Sequence, residues 1–284
     1  MPPRLVSVGL LIFWALAAGT LFTRDLLPEL VIGSPPDLRA ISQADVEPGP
    51  TRWIILVEDD HAGGALRSIG AVVTDTRRQR DGWVRMTSQA AFDSGQLLRG
   101  TPLDTQQPSE RVFVTGACEI DPSGNLGSFR AGVRLGEFVR QDVLVVEGHL
   151  RKNRIEVTAR GLGVPWRQSF PYEPRSMVQN SLQPLDRMPG LQVGQRWESR
   201  VVSPLTGRIE TARVEVAGRG HITWDDKPTP VLIVITRVPP FTARTWVRND
   251  GVVLRQEVPF PLAKIVLERA AETPELATQR QDHP

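Results

Sequence analysis

The residues best suited to chemistry are few. Glu58-Asp59-Asp60-His61 is the densest run of metal-type ligands: carboxylate oxygens suit hard cations and imidazole suits zinc. Neighbours on a strand point to opposite faces, so four consecutive residues do not converge on one ion. The run lacks the spaced ligands of a calcium loop and leads into Gly63-Gly64, which predicts a solvated turn. Trp224-Asp225-Asp226-Lys227 reads likewise as a strand end and turn. His61, His149, His221 and His283 show no pairing at ligand spacing, and no HExxH is present. Cys118 is the single cysteine, which excludes an intramolecular disulfide. Val112, Val114, Gly116, Cys118 and Ile120 share one strand parity, so Cys118 is expected as a small buried hydrophobe. No Gly-x-Ser-x-Gly elbow occurs. These residues assign no catalytic, cofactor-binding or metal-binding role, and a non-enzymatic protein is expected. An unrecognised hydrolase stays open as an alternative, because triads assemble from distant positions.

Two other sets of side chains are candidates for contact rather than catalysis. Arg77, Arg78 and Arg80 crowd one expected hairpin tip, and Arg151, Lys152 and Arg154 crowd another. Beside an anionic leaflet each such charge contributes about 1 kcal/mol; strand ends and turns are also charged for solvation alone. Six tryptophans lie in the body, and Trp197, Trp224 and Trp246 are candidates for an apolar ligand or a partner protein. Core filling is the competing role. The net charge of +2, from 34 basic and 32 acidic residues, describes no basic face and gives no reason to expect nucleic acid.

The elements that would position these residues are strands. With 24 glycines and 24 prolines in 284 residues, and few long helical patterns, the composition suits short strands joined by turns. Alternation marks strands in WIILVE from Trp53, in Leu66–Thr76, Trp83–Phe92 and VFVTGACEI, and onward through Val133. Asp142–Gly161 is the clearest hairpin: Ile155, Val157 and Ala159 alternate with Arg154, Glu156, Thr158 and Arg160. Residues 95–108 read as a polar loop. After Gly194 the pattern resumes in Trp197–Val202, Arg208–Val216, His221–Trp224, Val231–Val238, Ala243–Arg248 and Val252–Val258. Leu262–Ala271 fits either a closing strand or a short helix. Roughly a dozen strands without a βαβ unit predict a mainly β fold of antiparallel curved sheets or half-barrels, in one lobe or two.

Leu5–Phe22 carries no charge over 18 residues, about 27 Å of helix against a hydrocarbon core of about 30 Å. A retained transmembrane helix and a cleaved signal peptide both fit, with Ala15 and Ala17 as the small residues at a cut. The length favours the anchor, and either choice puts the body outside the cytoplasm. Pro28, Pro35, Pro36, Pro48 and Pro50 then punctuate a linker. The expected organisation is a short cytoplasmic tail at 1–4, an anchor at 5–22, a linker at 23–50, a first β lobe at 51–162, a connection at 163–194, a second lobe at 195–271 and a disordered tail at 272–284.

GLQVGQRWESRVVSPLTGRIETARVEVAGRGHITW, followed by TWVRNDGVVLRQEVPFPLAKIVLERA, resembles the ends of uncharacterised bacterial single-pass envelope proteins with an extracytoplasmic β body. More distantly it is similar to the half-barrel of the lipoprotein-localisation carriers, the LolA and LolB type. The likeness covers about the last third of the chain, with a weaker echo in Trp53–Phe92. Its marks, Gly194-Gln195-Arg196-Trp197 at a strand entry and Asn249-Asp250-Gly251 at a hairpin, are structural and carry no catalytic residue across. The resemblance implies a curved sheet with an apolar concave face. The expected function is that of a membrane-anchored, non-enzymatic binding or scaffolding module of the envelope, periplasmic in its body; a lipid or apolar-ligand carrier is the alternative. No cofactor is expected. The expected partners are the membrane, through Leu5–Phe22, and a protein or a lipid.

Overall fold

The computed structural model describes residues 49–59, 64–99, 109–139, 141–161, 165–172, 184–202, 209–239, 241–259 and 264–271. The expected anchor at 5–22, nearly all of the linker, the tail at 272–284, and Asp60, His61 and His283 lie outside the described residues. Among the described residues no helix is long and apolar enough to cross a membrane.

Among the described residues, one antiparallel sheet of 14 strands makes the body. The strands are β1 (Thr51–Asp59), β2 (Ala65–Arg78), β3 (Val84–Asp93), β4 (Arg111–Ile120), β5 (Leu126–Leu135), β6 (Leu144–Arg151), β7 (Arg154–Gly161) and β8 (Trp166–Pro171). They continue with β9 (Arg196–Val202), β10 (Ile209–Trp224), β11 (Lys227–Val238), β12 (Phe241–Arg248), β13 (Val253–Pro259) and β14 (Lys264–Arg269). A single turn of helix, α1 (Ser94–Leu98), follows β3. The order across the sheet is β8-β7-β6-β5-β4-β3-β2-β1-β14-β13-β12-β11-β10-β9. The chain therefore starts at the centre, meanders out to one edge, crosses to the far edge and meanders back. The two halves join where β1 pairs with β14, with Trp53 opposite Arg269 and Val57 opposite Ile265. Glu58 does not lie in the expected solvated turn: it is a strand residue, and Lys264 bridges it at 3.0 Å and Glu257 at 3.2 Å. That clamp ties β1, β14 and β13 at one end of the seam.

The sheet rolls up around one core. Val112 and Val114 of β4 share a cluster with Trp197 of β9 and Val214 of β10. β4 and β9 are nine strand steps apart in the sheet order, about 43 Å if flat, so contact requires strong curvature. Strand alternation supplies the inward set: Trp53, Ile55 and Val57 of β1, Ile265 and Leu267 of β14, and Leu232 and Val234 of β11 are all buried there. The same face continues outward to a smaller core of Leu126, Phe129, Val146, Ile155, Val157, Ala159 and Tyr172. The Tyr172 hydroxyl accepts the Leu126 amide at 2.9 Å and pins the end of β8 to the start of β5.

Several boundaries differ from the sequence reading for identifiable reasons. The polar loop at 95–108 opens instead with α1, because the Asp93 carboxylate accepts the Gln96 amide at 2.8 Å as an N-cap and Leu97 is buried. Ile209–Val216 of one expected strand and His221–Trp224 of the next belong to one strand, β10, whose ladder to β11 shifts register between Val216 and Gly218; the glycines mark a bulge rather than a break. β8 falls inside the expected connection. Within the expected closing element at Leu262–Ala271, Lys264–Arg269 is the strand β14, because β1 and β13 both offer it an edge.

Candidate functional site

Antiparallel order sorts every turn to one of two ends of the sheet. The start of β1, the ends of β8 and β14, and the turns β2–β3, β4–β5, β6–β7, β10–β11 and β12–β13 share one end, called here the entry end because the chain enters the sheet there at Thr51. Both basic hairpins lie at that end. Arg77, Arg78 and Arg80 flank the β2–β3 turn, Arg151, Lys152 and Arg154 flank the β6–β7 turn, and all six are exposed. Arg77 pairs with Asp75 at 2.6 Å, and Arg154 donates to the Ser169 hydroxyl at 2.8 Å. Acidic groups also occur there, several of them engaged in their own turns. Asp121 accepts the Ser123 and Asn125 amides, both at 2.8 Å, and Asp81 accepts the Trp83 amide at 3.2 Å. Asp225 and Asp226 adopt φ of 52° and 56°, the backbone of a type I′ hairpin turn.

The three candidate tryptophans separate. Trp197 is in the main inner core. Trp224 and Trp246 come together on the opposite face, half-buried over Ile222, Val231, Val252 and Leu254. The adjacent residues Val231 and Leu232 serve these two clusters on opposite faces, as strand alternation requires. The Trp224 indole donates to the Arg269 carbonyl at 2.9 Å. Arg248 lies 5.9 Å from the Trp224 ring centroid and Arg255 5.9 Å from that of Trp246. Both guanidiniums are also ion-paired, Arg248 with Asp250 and Arg255 with Glu268. The hydrogen bonds from Arg248 hold the Asp250 carboxyl below its ordinary range despite partial burial. The patch therefore combines half-buried indoles with ion-paired guanidiniums.

A third locus was not anticipated. Pro184–Leu191 lies on the inner face, with Leu185, Met188 and Leu191 packed on the main core. The Met188 amide donates to the Gly251 carbonyl at 2.7 Å, and the Val253 amide donates to the Asp186 carbonyl at 3.1 Å. The Asp186 carboxylate points inward: Thr74 donates to it at 2.7 Å, Thr76 lies at 3.4 Å, and the Trp53 indole donates to Thr74 at 3.2 Å. The residue keeps some exposed area, yet protein surrounds its carboxylate, and burial raises that group above its ordinary range against the opposing effects of Thr74 and Arg269. Sequence periodicity carries no signal for this aspartate, because it sits in an irregular segment.

His149 and His221 are exposed strand residues, and Cys118 is half-buried against the smaller core. Among the described residues no three His, Cys, Asp or Glu side chains are grouped to hold a metal ion.

No protein-family model matches the chain, and no curated protein matches it. Among solved structures, the crystal structure of a β-barrel-like protein of a domain of unknown function, DUF1849, from Brucella abortus is similar to this chain with a TM-score of 0.50 and 10% identity. The match covers 78% of this chain and 94% of that one. At that identity the likeness concerns the fold alone: the body is a β-barrel-like antiparallel sheet.

Proposed function

We propose that the chain is a membrane-tethered, extracytoplasmic binding module with no enzymatic role, whose entry end faces the bilayer and whose Trp224–Trp246 face meets a partner protein. The observation that carries this reading is topological. Both basic hairpins lie at the end where the chain arrives from the apolar stretch Leu5–Phe22, so a tether and a set of exposed cations face the same way. The test introduces Lys152→Cys in the full chain carrying Cys118→Ser. Labelling by an impermeant maleimide in cells with a permeabilised outer membrane, and retention in the membrane fraction after a carbonate wash, are expected. Labelling only after lysis, or release by carbonate, overturns the proposal. A photo-crosslinker at Trp246 tests the partner face: a discrete adduct is expected, and its absence counts against that face.

The carrier reading has one observation in its favour. The inner face is mainly apolar from β4 to β9, with Thr74, Ser88, Thr245 and Gln256 as its buried polar residues, and a non-strand segment lies on it as a ligand would. Native mass spectrometry decides this alternative, since an extractable lipid mass on the body supports a carrier and a clean apo mass removes it.

A further inference from the structure

The Pro184–Leu191 segment is held differently from the strands around it. Its main chain meets the start of β13 and the turn before it at only a few points: the Asp186–Val253 and Met188–Gly251 hydrogen bonds, and the isolated bridge between Arg187 and Val252. The Asp186 side chain reaches the other way, to Thr74 and Thr76 of β2. β13 and β2 are three strand steps apart in the sheet order, about 14 Å, so the segment spans the inside of the β14–β1 seam. The Asn249-Asp250-Gly251 turn is its dock. Gly251 has φ of +85°, and a Cβ there would lie 2.9 Å from Pro189 Cα and 3.1 Å from the Met188 carbonyl oxygen. Turn and strap therefore fit together at backbone distance.

We propose that Pro184–Leu191 is a releasable strap over the apolar inner face, pinned at Asp186, and that the strap loosens as pH rises. The groups facing Asp186 are the Thr74 and Thr76 hydroxyls from β2, the Trp53 indole from β1 and the Arg269 guanidinium from β14. On the strap itself Arg187 is opposite the charge of Asp250 on the docking turn. These groups partly compensate an ionised carboxylate, but burial outweighs them. The protonated acid is the form that suits the closed strap. A carboxyl raised in the closed state relative to the open one stabilises closure fully below the ordinary aspartate value of 3.8. That stabilisation is lost as pH rises through the raised value. Release would uncover Leu185, Met188, Leu191 and the core residues beneath them. The device is independent of whether the body serves as a partner module or a carrier.

Hydrogen exchange on the full-length protein in mild detergent tests this, from about pH 4, near the ordinary aspartate value, to about pH 8, with times scaled for intrinsic exchange. Protection of the Met188 and Val253 amides is expected to fall as pH rises through the raised Asp186 value. The β1–β14 amides should stay protected throughout. Asp186→Asn keeps the shape and removes the charge, so its strap protection should be flat with pH and higher than wild type at neutral pH. A flat wild-type profile overturns the proposal without reference to any variant. An Asp186→Asn profile as steep as wild type overturns the assignment of the pin.

Discussion

At the scale of single residues, close approach of side chains to glycine shapes the smaller core. The Phe129 ring lies over its cross-strand partner Gly148, and a Cβ at Gly148 would meet ring carbons at 2.0 and 2.4 Å. Trp83 covers Gly127 in the same way. An aromatic ring fills the space a missing side chain leaves and restores the packing that glycine forfeits in a strand. Gly148→Ala therefore overpacks a buried site and should destabilise the protein by about 1–3 kcal/mol. Urea unfolding should show a lowered midpoint with an unchanged slope. A wild-type midpoint would mean that Phe129 moves aside freely. Which ring approaches a strand glycine depends on strand pairing, so the sequence carries no signal for it.

At the scale of elements, the edge strand β9 depends on its neighbour for anchorage. Glu215 of β10 accepts from Arg196 of β9 at 3.1 Å and from Arg237 of β11 at 3.2 Å, binding three strands together. Burial pushes the Glu215 carboxyl upward, but the hydrogen bonds and charges of the two arginines outweigh it, and the net shift is downward from 4.5. A carboxylate lowered in the folded state contributes stability above its unfolded value, and that contribution disappears as pH falls through the lowered one. Glu215→Gln should lose about 1 kcal/mol near neutral pH, a figure already reduced for solvent screening. The difference from wild type should vanish in acid. Equal stability of the two proteins at neutral pH would show that the triad contributes nothing to holding β9.

At the scale of the whole molecule, the meander is built from local hairpins and one long-range seam. Trp53 and Arg269 pair across roughly 200 residues of chain. Neither half buries its central strand alone, since β1 and β14 each take the other as a neighbour. The half ending at Tyr172 should therefore be insoluble or unfolded when made alone, and so should the half beginning at Pro184. The two co-expressed should assemble into a complex with the circular dichroism of the intact body. Cooperative unfolding of either half by itself would contradict the dependence on the seam.

How much of this was readable follows from what a strand pattern encodes. Period-two alternation states which face each residue takes, so Ile155, Val157 and Ala159 were placed inward, and the hairpin at Asn249-Asp250-Gly251 followed from turn chemistry. Cys118 took the face its parity assigned and is half-buried there. Alternation is silent on which strand lies beside which. The β1–β14 seam, the separation of Trp197 from Trp224 and Trp246, and the seat of Asp186 beside Thr74 therefore came only from the tertiary structure. Trp166, Gln168 and Phe170 do alternate in β8, but the five residues between Pro165 and Pro171 give too short a signal. The amino-acid sequence by itself determined a mainly β body and the faces of most of its strands, because those depend on neighbours along the chain. The single rolled sheet and its inner strap were decided in three dimensions, because both rest on contacts between segments that the chain keeps far apart.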